Sequence, residues 1–215
     1  MSETLRHWSY SAWKVFNYSN GLIAWNLFLA FIPLVLSLWL FRTRSHKPGW
    51  LWWGVFLVFI AFLPNAPYVL TDVIHLIQLI EYRLSVWLVT LILIPQYTLF
   101  LLLGFQAYAI SLINLGYYIE KTKYKAYLPL IELTLHALCA IGIYLGRFQR
   151  YNSWDFITQP HAVVFSVFDN FTSKYPLLIM VITTGVLAGL YWIVKQADLG
   201  IAMRIKGNNR NLNGY

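Results

Sequence analysis

At 215 residues, with 59% hydrophobic and only 11% charged side chains, the chain is too apolar to be an ordinary soluble domain. Soluble domains carry about 25% charged residues, so this composition favours a membrane protein with a single membrane domain. The net charge of +8 is then read through loop placement and anionic lipid, and no nucleic-acid partner is expected.

The N-terminal residues 3–18 are predicted to form an amphipathic interfacial helix, because apolar side chains recur there at roughly helical spacing among cations such as Arg6 and Lys14. The predicted organisation has three parts: an interfacial segment (1–20), a membrane domain (21–195) and a polar cytoplasmic tail (196–215). The tail ends in an Asn- and Gly-rich stretch, 207–215, that is predicted to be disordered.

Five apolar runs follow one another, at about 21–41, 50–63, 84–119, 126–145 and 175–194. The predicted fold class is therefore all-α, a polytopic membrane helix bundle with about five spans, although six remain open. The third run is longer than one span requires. It is predicted to be one long helix with a bend at Pro95.

The second run is short and ends in the motif Phe62-Leu63-Pro64-Asn65-Ala66-Pro67-Tyr68. Two prolines remove two backbone donors, so the helix is predicted to break at 64–68 and to restart over 69–80. On the restarted helix Asp72 and His75 are one turn apart and can face the same site. They could form an acid–base pair or ligate a metal. Alternatively, Asp72 caps the helix and His75 faces lipid headgroups.

Lysine and arginine are concentrated in segments 42–49, 120–125 and 195–215, which carry three, three and four cations. In a five-span chain these segments fall on one side of the membrane, predicted to be cytoplasmic. The N-terminus is then outside. The Pro64–His75 motif and the 146–174 segment both emerge on the outer face.

The 146–174 segment opens with a second polar motif. Arg147 and Arg150 could grip an anion such as a phosphate or carboxylate. Asn152 and Asp155 could orient a substrate or a catalytic group. The alternative is that the arginines reach lipid phosphates and that the residues after them cap a helix.

Three polar residues are predicted within the spans: Gln106, Glu132 and His136. They could hold the bundle together by hydrogen bonds, or Glu132 and His136 could relay protons. The ligand types Asp72, His75 and His136, with Asp155, would also suit a divalent metal, although their spacing matches no known metal motif.

These motifs resemble the DUF1361 family of uncharacterised integral membrane proteins. The resemblance rests on Trp25-Asn26-Leu27-Phe28-Leu29-Ala30, on Phe62–Tyr68 with Thr71-Asp72 and His75-Leu76, and on Gly146-Arg147-Phe148 with Asn152-Ser153-Trp154-Asp155. It covers about residues 21–195. It implies a multi-span protein of the bacterial cytoplasmic membrane and no particular activity.

The leading functional hypothesis is a polar outer-face site that binds or processes an anionic lipid headgroup or a peptide carboxylate. Its expected catalytic residues are Asp72, His75 and Asp155, and its expected anion-binding residues are Asn65, Tyr68, Arg147, Arg150 and Asn152. The first alternative is a non-enzymatic scaffold subunit that binds another membrane protein. The second is a small permease. Whether the protein is an enzyme stays open.

Overall fold

The computed structural model describes residues 2–43, 48–81, 84–151, 158, 161, 165–166 and 174–212. These residues form helices and turns, with no strand among them. Five helical stretches are long and apolar enough to cross a membrane: Trp8–Arg42, Trp50–Glu81, Val86–Ile119, Lys125–Phe148 and Lys174–Ile205. The predicted all-α fold with five spans is confirmed.

The α-helices are α1 (Ser2–Ser37), α2 (Trp50–Phe62), α3 (Asn65–Tyr68), α4 (Val73–Glu81), α5 (Val86–Leu88), α6 (Ile94–Ile119), α7 (Leu128–Phe148) and α8 (Lys174–Leu212). Tighter and wider turns join several of them. A π-helical turn follows α1 at Leu38–Arg42 and another follows α5 at Val89–Leu93, while 3₁₀ turns occupy Val69–Asp72 and Lys125–Tyr127.

The surface of these helices is suited to lipid. In the apolar window of each span, only 17% to 39% of the residues are buried within the protein. Large apolar side chains such as Leu57, Leu102 and Ile182 are more than half exposed. Such an apolar exterior is unfavourable in water and favourable in a bilayer.

Helix α1 runs across position 20, where the predicted interfacial segment was expected to end and the first span to follow. Helix α1 continues without interruption from Ser2 to Ser37, so the predicted interfacial helix and the predicted first span are one helix. The change from polar to apolar residues at Gly21 is a change of surface along that helix and not a helix end.

A π-helical turn, Val89–Leu93, lies just before Pro95, where a bend was predicted. Proline has no N–H to donate to the carbonyl four residues earlier, and its ring crowds that carbonyl. A wider π turn accommodates the ring without ending the helix. The third run is therefore one interrupted helical stretch, as predicted.

The C-terminal helix is longer than expected. Helix α8 runs to Leu212, so the prediction of disorder is wrong for residues 207–212. Helix propagation is cooperative, and a long membrane span supplies the nucleus from which polar residues can continue the helix.

The chain divides into two compact units, Met1–Tyr108 and Ala109–Tyr215. In the first unit, α1 packs against α2 and α3. Trp52 Nε1 donates a hydrogen bond to the Leu40 carbonyl (3.3 Å), and the rings of Phe41, Trp52 and Phe59 pack edge to face around it. In the second unit, α8 packs along α7.

Candidate functional site

The proline motif interrupts the helix, and a nearby side chain bonds to the backbone carbonyl that loses its helical partner. Helix α2 ends at Phe62, and Ala66 N bonds Leu63 O (3.2 Å), three residues back rather than four. The Phe62 carbonyl instead accepts a hydrogen bond from Asn65 Nδ2 (3.0 Å). A polar backbone group without water nearby must find such a partner. The interruption expected at the prolines is present at Leu63–Pro64, but residues 65–68 form the short helix α3, so the break is shorter than the predicted 64–68. After the 3₁₀ turn, α4 begins at Val73.

Between the break and α4, the 3₁₀ turn Val69–Asp72 sets which side chains face inward. Residues three apart eclipse one another in a 3₁₀ helix, so Val69 and Asp72 share one side, and both are buried. Val69 packs against Gly104 of α6. A Cβ built on Gly104 would lie 2.5 Å from Val69 Cγ2, so only glycine admits this approach.

Asp72 is the most completely enclosed carboxylate of the first unit, with 1% of its surface exposed. Its Oδ2 accepts a short hydrogen bond from Asn26 Nδ2 of α1 (2.6 Å). Its Oδ1 lies 3.7 Å from His75 Nε2. That distance is too long for a hydrogen bond, but the two groups interact strongly by charge when the imidazole is protonated. The predicted pairing of Asp72 with His75 is therefore present.

His75 differs from Asp72 in being a third exposed. Its Nδ1 lies 3.3 Å from Gln78 Oε1, one turn further along α4. Both ring nitrogens thus have an acceptor oxygen nearby, Asp72 Oδ1 on one side and Gln78 Oε1 on the other.

His75 lines a cavity of about 620 Å³ within the first unit. The other described lining residues come from α1, α4 and α6: Tyr18, Ser19, Leu22, Gln78, Leu79, Glu81 and Tyr97. Most of these side chains are polar. The volume is in the range of cavities that hold small ligands.

Hydrogen bonds join α6, which contributes the lining residue Tyr97, to α1. Tyr97 Oη donates to Ser19 Oγ (3.3 Å). Next to it, Gln96 Nε2 donates to Asn20 Oδ1 (2.8 Å) and to the Phe16 carbonyl (3.1 Å). These bonds set the position of the two helices whose side chains face His75.

The second unit contains a different ionic cluster. Glu132 of α7 accepts hydrogen bonds at Oε1 from Lys195 Nζ (2.6 Å) and Tyr191 Oη (2.7 Å), both of α8. The two charged side chains are largely covered, at 14% and 24% exposed. His136, one turn after Glu132, is buried with its ring centroid 5.0 Å from that of Tyr191. These hydrogen bonds between α7 and α8 have the geometry expected if Glu132 holds two helices together.

The remaining predicted site residues stay predictions. Gln106 belongs to the first unit and His136 to the second, so a hydrogen bond between them stays a prediction. Within the described residues, no group of three or more His, Cys, Asp or Glu side chains could hold a metal ion. Of the predicted metal set, Asp72 and His75 lie beside each other in the first unit, and the place of His136 relative to them stays a prediction.

The second predicted motif is only partly described. Arg147 lies in the last turn of α7. Arg150 is exposed and has a left-handed backbone (φ 60°), an uncommon conformation for a residue other than glycine. Asn152 and Asp155 lie outside the described residues.

In the first motif, Tyr68 is half-buried, and Thr71 Oγ1 donates a hydrogen bond to its carbonyl (2.7 Å).

Several contributing residues were not recognised from the sequence. Asn26 is the partner of Asp72, and its isolation as a polar residue in an apolar run could have indicated it. Lys195 was assigned to the tail, yet it neutralises Glu132. Glu81, Gln78, Ser19 and Tyr97 line the cavity with no local signal.

Comparison with known proteins adds the family and nothing further. The family described as "Protein of unknown function (DUF1361)" matches residues 25–188, which include both motifs. No curated protein and no solved structure matches the chain. Because the match covers most of the chain and agrees with the resemblance carried by the motifs, the protein belongs to the DUF1361 family.

Proposed function

We propose that this membrane protein binds a small polar ligand in the cavity beside His75 and exchanges a proton with it through the Asp72–His75 pair. The observation that carries the proposal is the position of His75. One side of its ring faces an enclosed carboxylate at 3.7 Å, and the residue also lines a cavity of about 620 Å³.

The roles of the two residues follow from their surroundings. Asp72 is enclosed and bonded to Asn26, so it stabilises a charge on the imidazole and fixes the orientation of the ring. His75 is exposed to the cavity and is the group that gives and takes the proton. Asn65 closes the helix break and so supports the segment that presents both residues.

The experiment replaces Asp72 by Asn and measures how well the variant restores the phenotype of a strain that lacks the gene. The change keeps the shape of the side chain and a bonding partner for Asn26, but removes the charge beside His75. The expected result is lost function at a normal amount of protein in the membrane. Glu120→Gln, at an exposed carboxylate, is the matched control and should restore fully. Full restoration by Asp72→Asn would contradict the proposal.

A separate proposal concerns the second motif. Arg147 and Arg150 could bind an anionic part of the same ligand, provided that both motifs open to the same side of the membrane. Cys139 is the only cysteine, so a Cys139→Ser chain gives a clean background for His75→Cys and Arg150→Cys. A membrane-impermeant thiol reagent added outside should label both. Labelling from opposite sides would remove the arginines from the proposal and leave the Asp72–His75 pair unaffected.

A scaffold role is the second candidate, and the ionic cluster of the second unit supports it. Glu132, Tyr191 and Lys195 join α7 to α8 in the way that polar groups fix helix pairs in membranes. A proton relay through Glu132 and His136 is less favoured, because Glu132 Oε1 already accepts two short hydrogen bonds.

A further inference from the structure

The described walls of the cavity in the first unit carry an unbalanced charge. Glu81 lines it as a carboxylate, and the enclosed Asp72 lies directly behind His75. With both carboxylates ionised and His75 protonated, these three groups sum to −1. Among the described residues that line the cavity there is no lysine or arginine. The two carboxylates favour a cation over an anion beside them.

The uncharged wall residues suit the same ligand. The exposed Tyr18 lines the cavity, and aromatic faces attract ammonium groups. Gln78, which is also exposed, carries an amide oxygen that can accept from N–H donors.

The residue before Tyr97 in the chain has a buried acceptor that lacks a donor among the described residues. Gln96 Oε1 is buried and has no hydrogen-bond partner within the described structure. Gln96 precedes the lining residue Tyr97, and its Nε2 donates to Asn20, which follows the lining residue Ser19. The direction of the amide is fixed, because Nε2 already donates to two acceptors. A buried acceptor of this kind is normally satisfied by water or by a bound group.

The cavity also lies where two apolar runs end. Tyr18 and Ser19 immediately precede the apolar run that begins at Gly21, and Glu81 is the last residue of α4 and of the second span. Ends of apolar runs correspond to the level of the lipid headgroups. A ligand at this depth can come from the aqueous phase or from a lipid.

We infer that the cavity binds a primary ammonium group, with Glu81 as its counter-ion and the ring of Tyr18 beside it. The inference rests on the proposed function and specifies the class of its ligand. A free amine and the headgroup of an aminophospholipid share this chemistry, and the experiment separates the two sources.

The experiment uses the full-length protein in nanodiscs of phosphatidylglycerol, which carries no amine. The imidazole resonance of His75, assigned by its loss in His75→Gln, is followed by NMR during titration with ethanolammonium chloride. A parallel titration uses sodium phosphate at equal ionic strength. The expected result is a saturable shift with ethanolammonium and none with phosphate. Glu81→Gln should weaken the response about tenfold, the loss expected for one charged contact of about 1.4 kcal/mol. Glu120→Gln should not change it.

A second preparation contains phosphatidylethanolamine in the nanodisc. If the lipid supplies the ammonium group, the resonance starts at its shifted position and free ethanolammonium has no further effect. If the ligand is a free amine, the titration is the same in both lipids. Both results support an ammonium site.

A shift with phosphate and none with ethanolammonium would overturn the inference and indicate an anion site, while the proposed function would stand. No shift with either probe or in either lipid would overturn the inference as well, and so would an unchanged response in Glu81→Gln. The proposed function is judged separately, by the failure of Asp72→Asn to restore the phenotype.

Discussion

Each of the two units has an ionisable pair on its membrane helices, and the two pairs are enclosed differently. In the first unit His75, beside Asp72, is a third exposed and lines a cavity. In the second unit Glu132 and Lys195 are 2.6 Å apart with a tyrosine hydroxyl on the same oxygen. Placing a charged group within a membrane span costs free energy, so each pair must provide stability or function that offsets this cost.

The comparison shows that an ionisable residue in a span is not by itself a functional site. Glu132 and Lys195 satisfy each other and join two helices, which is sufficient reason for both to be there. The Asp72–His75 pair has a geometry that helix packing does not require, because the imidazole reaches a space large enough for a ligand. Access to a cavity is the feature that distinguishes the proposed site at Asp72 and His75 from the Glu132–Lys195 pair.

The largest effect on stability is expected at the tie of the second unit. Glu132→Ala removes the carboxylate and leaves Lys195 uncompensated among apolar helices, which should cost about 3 kcal/mol. The free energy of unfolding in mixed detergent micelles measures this loss. The double variant Glu132→Leu with Lys195→Leu should recover most of it, since no lone charge remains. A double variant as unstable as the single one would contradict the interpretation as a charge tie.

A smaller loss is expected where the proline motif packs on α6. Gly104→Ala places a methyl group against Val69 and should destabilise the protein by about 1–3 kcal/mol through overpacking. Val69→Ala should partly relieve the Gly104→Ala variant. The matched control is Gly54→Ala in α2, where nothing lies within 4 Å of the added Cβ. If both glycine variants unfold at the same free energy, the close approach of Val69 is not a constraint.

The smallest stability effect in this comparison is expected on the cavity wall. Tyr97→Phe loses only the hydrogen bond to Ser19, a change of about 1 kcal/mol. Unfolding in the same detergent system measures it, with Tyr175→Phe at an exposed position as the reference. A loss of 3 kcal/mol or more would mean that the cavity wall is part of the structural core.

What could be predicted from the sequence is what depends on local signals. The apolar runs gave the five spans, and Pro64 and Pro67 gave the break, because hydropathy and a missing N–H act over a few residues. The one-turn spacing placed Asp72 beside His75. Local composition was misleading at residues 207–212, where a helix continues through polar sequence.

What could not be predicted depends on which helix faces meet. Asn26 is 46 residues from Asp72, and Lys195 is 63 residues from Glu132. No spacing rule predicts contacts between residues so far apart in the sequence, and for each of these residues several polar side chains were possible partners. The cavity arises in the same way, since its walls come from α1, α4 and α6. The position of Asn152 and Asp155 relative to the other candidates stays a prediction.

The most direct test of the central claim measures stability and activity together in His75→Gln. The side chain is a third exposed and its loss leaves no large void, so the free energy of unfolding should change by no more than about 1 kcal/mol, far less than in Glu132→Ala. Restoration of the phenotype in a strain lacking the gene, at equal amounts of membrane protein, should nevertheless be lost. A His75→Gln variant that is both stable and fully active would contradict the claim that the Asp72–His75 pair is the working site.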